Sequence, residues 1–194
     1  MRTTCPRHFS ASRSAAEHSL FRAKRPFARK PTEDLTDYLL PVSSPENTLR
    51  ISKQPKENPL EGFPLLHLSK YAGDPAAIDW PRWVQRYGYR KAASDRGLRY
   101  SRLVHALEAV RSNAGQLLCG LALLLDEVES GVLSIPFPVS QGAWTQHAYQ
   151  MSVRRHAARR SAVQQFRAWV MQEGAKTAAQ MAAFTSTPAS PPES

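Results

Sequence analysis

The chain has 194 residues and a formal net charge of +10, with a sequence pI of about 10.1; this is enough for one ordinary domain with flexible ends, and it favours contact with polyanions. Its two cysteines, Cys5 and Cys119, form neither a disulfide framework nor a zinc pattern, and they fit a reducing cytoplasm. The apolar run Leu117–Leu125 is less than half of the roughly 20 residues a membrane-spanning helix needs, and Arg2 is not followed by the apolar core of a secretory signal.

Residues 1–36 hold eight Lys/Arg against three Asp/Glu and lack an apolar period of 2 or 3.6, which predicts a disordered basic arm. An Arg/Ser-rich, acid-poor start of this kind also imitates a mitochondrial transit peptide. Tyr38–Val42 predicts a short strand, with Pro41 placing it at an edge or an end. Pro45, Pro55 and Pro59 leave room only for a short helix. Phe63–Leu68 predicts a second strand. Asp79 caps a helix with Pro81 in its first turn; Trp80, Trp83, Val84 and Tyr87 share a face, and Gly88 ends it.

Ser101 is the expected cap of a further helix with Leu103, Val104, Leu107 and Val110 on its buried face. The run from Leu117 predicts a fully buried strand, with Cys119 as a buried thiol. A short acidic helix follows, stopped by Gly131, and then a strand candidate at Val132–Ile135. Trp144–Val153 alternates as a strand does. Ser161 and Gln164 form a candidate capping box for a last helix striped by Val163, Phe166, Trp169 and Val170. From Thr185 the chain is low-complexity. Strands alternating with helices imply an α/β fold with a largely parallel sheet, whose ligands bind beyond the carboxyl ends of the strands.

Four stretches in this order carry a resemblance: LLPVSSP (Leu39–Pro45), PLLHLS (Pro64–Ser69) with DWPRWVQRYG (Asp79–Gly88), GQLLCGLALLLDEVESGVLSIPF (Gly115–Phe137) and RRHAARRSAVQQFRAWVMQEG (Arg154–Gly174). Together they resemble the effector-binding domain of LysR-type transcriptional regulators, in particular the glycine-cleavage-activator-like branch. The resemblance implies a periplasmic-binding-protein-like (type 2) α/β fold of two subdomains, with a small effector in the cleft between them. By that pattern 1–36 is the basic arm, and 37–45 is the strand of subdomain I and first crossover. A nearly complete subdomain II fills 46–138, 139–180 returns to a partial subdomain I, and 181–194 is a disordered tail. The winged helix-turn-helix of the family has no counterpart in residues 1–36, so the expectation is a truncated regulator, with 1–36 the product of a shifted reading frame.

The six histidines are scattered without metal-ligand spacing, and no nucleophile elbow or phosphate-cradling loop is present, so no catalysis, metal or cofactor is expected. Asp126, Glu127 and Glu129 are expected on a solvated face, as is the basic cluster Arg154–Arg160. The candidate effector contacts are His67 and Ser69 at a strand end, Ser101 at a helix start, Asn113, Ala114 and Gly115 in the loop before the buried strand, and Ser43 and Ser44 on the first crossover. Each has a plainer role available, as a satisfied strand end, a cap or a turn. The expected function is a cytoplasmic small-effector-binding domain in transcription regulation, without its own DNA-binding domain. Its expected partners are a small effector, such as an amino or organic acid, and another copy or a full-length regulator; specific DNA contact and membrane association are not expected. One alternative is a non-functional gene fragment folding in part, with the Val163–Val170 face left uncovered. The other is a small basic protein binding nucleic acid through its arm.

Overall fold

The computed structural model describes residues 35–69 and 77–186, so the predicted arm lies outside the described residues up to position 34. Strand β1 (Leu35–Val42) begins three residues earlier than expected and leads into α1 (Pro45–Ser52). β2 (Leu65–Leu68), α2 (Trp80–Tyr87), β3 (Leu98–Tyr100), α3 (Leu103–Arg111) and β4 (Gln116–Gly120) follow. A 3-10 turn (Leu121–Leu123), α4 (Leu125–Glu129), a second 3-10 turn (Val139–Gln141), β5 (Ala143–Tyr149) and α5 (Ser161–Ser186) complete the order. Val132–Ile135 is not a strand: only Ser134 pairs, in a bridge to Ser43.

The five strands lie in the order β3–β2–β4–β1–β5. β2 runs parallel to β3 and β4, while β1 runs antiparallel to β4 and β5. The sheet is therefore mixed rather than largely parallel. A strand buried on both faces is apolar throughout whichever way its neighbours run, so its residues do not reveal orientation. β1 is an inner strand, yet β5 pairs with it only as far as Leu39, and Pro41 stands beyond the end of that ladder.

Helices cover both faces. On one face Leu40, Val42, Leu66, Leu117 and Cys119 pack with Leu107 and Val110 of α3. On the other Leu65 and Leu118 pack with Ile51 of α1, Trp80 and Trp83 of α2, and Phe137. α2 is built as its residues dictate: the Asp79 carboxylate accepts from Arg82 N at 3.1 Å, Pro81 opens the helix, and Gly88 leaves it at φ 78°. Both indoles donate to backbone, Trp80 to Leu66 O at 2.9 Å and Trp83 to Gln141 O at 2.8 Å.

Three details differ from expectation at the helices. Glu127 is not simply solvated; its two oxygens accept from Arg111 Nε at 3.0 Å and Nη2 at 2.6 Å, which ties α4 to the end of α3 and raises the Arg111 pKa. Ser161 and Gln164 do not form a capping box, because the Gln164 amide donates instead to Ala158 O. α5 runs through Ser186, past the expected start of the tail at 181, because Met181 is fully buried and Phe184 packs beside it. Its earlier stripe is uncovered, with Phe166 59% and Trp169 56% exposed.

Candidate functional site

The register places the predicted effector residues at opposite ends of the parallel strands. Leu65 pairs with Gln116 at the start of β2 and β4, and Leu68 pairs with Tyr100 at the finish of β2 and β3. Ser69 and Ser101 follow those finishing residues, and both are exposed. This carboxyl edge is where ligands sit in open α/β sheets. α3 starts there. Arg102, not Ser101, occupies its N-cap position, and no side chain caps the first-turn N–H groups. An uncapped helix start presents N–H donors and partial positive charge to an anion.

His67 belongs to the same end but faces inward. It is buried, and its Nε2 lies 3.2 Å from Arg96 O in the loop before β3. Burial lowers its pKa; the Arg96 carbonyl works against this and the nearby Arg99 charge adds to it. Its contact therefore holds β2 to that loop. The hollow beside it, lined by Asp79, Trp80 and Arg99 among others, is about 50 Å³, far below the 300 Å³ or so of an organic ligand pocket.

Five other predicted contacts lie at the amino end, away from this edge. Ser43 bridges Ser134 through its backbone, at 2.9 and 2.8 Å, and Ser44 Oγ caps α1 by accepting from Asn47 N at 3.2 Å. Ser43 and Ser44 thus end β1 and start α1. Asn113 ends α3 in the left-handed conformation at φ 61°, and Ala114 N donates back to Ala109 O at 2.9 Å. The Asn47 amide holds Asn113 O at 3.1 Å. Gly115 does permit a close approach, but of protein: a Cβ there would lie 2.6 Å from Pro64 O. Backbone bonds, a cap and close packing thus occupy this end, while the buried Ser43 Oγ has no hydrogen-bond partner.

One arrangement at the carboxyl end escaped sequence reasoning. Asp37 is buried on β1; its Oδ1 accepts from Tyr38 N at 2.8 Å and Ala122 N at 2.9 Å, and its Oδ2 accepts from Tyr149 OH at 3.0 Å. Asp37 N donates to Thr145 Oγ1 at 3.1 Å. The carboxylate thus ties β1 and β5 to the turn leaving β4, at an irregularity in the β1–β5 register. Gly120 makes room for it, since a Cβ there would sit 1.9 Å from Asp37 Oδ2. The available signal was an acidic residue inside an apolar strand paired with a glycine ending another.

Among the described residues, no three His, Cys, Asp or Glu side chains gather as a metal site, and no helix is long and apolar enough to cross a membrane.

No protein-family model matches the sequence, and no curated protein is similar to it in sequence. Solved structures do match. The effector domain of the transcriptional regulator AmpR of Pseudomonas aeruginosa is similar at 24% identity and a TM-score of 0.56, over 75% of this chain and 66% of that one. The regulatory domain of CrgA, a LysR-type transcriptional regulator from Neisseria meningitidis, is similar at 16% identity and a TM-score of 0.53, over 76% and 72%. The AmpR effector-binding domain from Citrobacter freundii gives 18% identity and a TM-score of 0.50, over 74% and 67%. The chain spans about two thirds of the length of the Pseudomonas domain it matches. Its fold is accordingly the mixed α/β, periplasmic-binding-protein-like (type 2) fold of these effector domains.

Proposed function

We propose that the chain is a small-effector-binding domain of a LysR-type transcriptional regulator. The observation that carries this reading is the carboxyl edge, where Ser69, Ser101 and the uncapped start of α3 face outward beside the Asp37 tie. A carboxylate of an amino or organic acid would accept hydrogen bonds from the α3 N–H groups and the two hydroxyls. Ser69 and Ser101 are the effector contacts in this reading. Binding would act by shifting populations of an assembly, because an effector regulates only through differential affinity for two states.

The same reading places the chain in the glycine-cleavage-activator-like branch, acting in the cytoplasm without catalysis. Subdomain II would occupy 46–138, with 37–45 and 139–180 belonging to subdomain I. One observation supports this: Phe166 and Trp169 on α5 lie uncovered. A second copy or a full-length regulator is the partner in this reading.

Thermal melts of the purified chain with a panel of amino and organic acids test the reading. A ligand at about 100 times its Kd adds about 2.7 kcal/mol and raises the midpoint. A cooperative melt that no member of the panel moves counts against effector binding. The absence of any cooperative transition favours the alternative of a partly folded fragment, to which the uncovered rings of α5 also point.

A further inference from the structure

Residues 130–172 contain no Asp or Glu but five arginines, at 154, 155, 159, 160 and 167. All five are exposed, and among the described residues none of their side chains makes an ion pair or hydrogen bond. Arg111 and Lys176 differ, since each is paired with a carboxylate. Four of the arginines are gathered by a tight turn in which Arg154 O accepts from Ala157 N at 2.9 Å and Ala158 N at 3.0 Å, and Ala157 O accepts from Arg160 N at 3.0 Å. Among the described residues their guanidinium donors are therefore unclaimed, in the planar geometry that suits phosphate oxygens.

Just beyond the turn, α5 exposes Phe166 and Trp169 with ring centroids 5.8 Å apart and planes tilted by 35°. Arginines beside exposed aromatic faces are what single-stranded nucleic acid recognises: phosphates on the cations, unstacked bases on the rings. An anionic membrane calls for a broad apolar face. Here, of the α5 stripe, Phe166 and Trp169 are exposed while Val163 and Val170 are partly covered. We propose that the Arg154–Arg160 turn and the Phe166–Trp169 pair form a binding surface for single-stranded nucleic acid, without sequence preference. This surface is independent of the effector reading and of the N-terminal arm.

The test uses the full chain with a fluorescently labelled thymidine oligonucleotide, a duplex of the same length and phosphatidylserine vesicles. The expected result is salt-dependent binding that prefers the single strand and quenches tryptophan fluorescence. Arg154→Ser, Arg155→Ser, Arg159→Ser and Arg160→Ser combined should weaken it and reduce the salt slope by about 3. Phe166→Ala with Trp169→Ala should cost roughly tenfold or more and abolish the quenching. Changing the same four arginines to lysine should keep most of the affinity, and all variants should retain the parent's circular dichroism. Unchanged affinity in either the serine or the alanine variant would overturn the proposal, as would binding to vesicles but not to the oligonucleotide.

Discussion

The two ends of the parallel strands carry similar short polar residues and use them differently. At the amino end Ser44 caps α1, Asn47 holds Asn113 O, and the space beside Gly115 is filled by Pro64 and Leu66. At the carboxyl end Ser69 and Ser101 are exposed, and α3 begins without a side-chain cap. A serine or asparagine in a loop is a structural part where a backbone donor or acceptor claims it. It is available to a ligand where none does. On this difference rests the proposal that the carboxyl end receives the effector, although the buried Ser43 Oγ at the amino end also lacks a hydrogen-bond partner.

The largest expected effect breaks the carboxyl end from beneath. Gly120→Ala would place a methyl 1.9 Å from Asp37 Oδ2, displace the carboxylate and strand Ala122 N–H, at a cost of roughly 3 kcal/mol in urea unfolding. A loss below about 1 kcal/mol would show that the tie is dispensable. At the amino end Gln116 is fully buried, and neither of its amide atoms has a hydrogen-bond partner. Gln116→Met keeps the volume and removes the unpaired dipole, so it should stabilise the fold by about 1 kcal/mol. Destabilisation would mean that the amide is satisfied in solution.

Ser44→Ala removes a cap and should cost about 1 kcal/mol while leaving any effector response unchanged. A changed response would return the amino end to candidacy.

His67 gives a smaller, pH-dependent effect. Burial lowers its pKa in the folded state, so below about pH 6.5 the unfolded chain binds the extra proton first. Stability should therefore fall as pH drops from about 6.5 towards the folded pKa, and this contribution should be flat above it. His67→Gln should flatten that limb of a melting-temperature profile. An unchanged limb would assign the acid sensitivity to other groups. Smallest in stability is Ser101→Ala, expected to fall within about 0.5 kcal/mol because the residue is exposed and caps nothing. It should nevertheless reduce the midpoint shift that a bound acid produces.

Local chemistry was legible where it stays local. Asp79, Pro81 and Gly88 marked α2 because capping and termination act within one turn. Trp80 and Cys119 were readable as core because large or apolar residues in patterned runs have nowhere else to go. The direction of β1 was not, since its buried residues suit either ladder and the pairing partners lie far along the chain, in β4. For the same reason the loops at Ser43 and Asn113 looked equivalent to those at Ser69 and Ser101. Which end of the sheet a loop occupies is a property of the topology, not of its residues. α5 showed the limit from the other side: its apolar stripe was plain in the sequence, but packing chose Met181 over Phe166 and Trp169.

Backbone amide mapping by nuclear magnetic resonance, during titration with the acid that most raises the melting midpoint, tests the assignment of the site most directly. The account predicts shifts concentrated at Ser69, Ser101 and the first turn of α3 from Leu103 to His105, with Ser43, Ser44, Asn113 and Gly115 unmoved. Shifts centred on those four amino-end residues, with the carboxyl end silent, would contradict it.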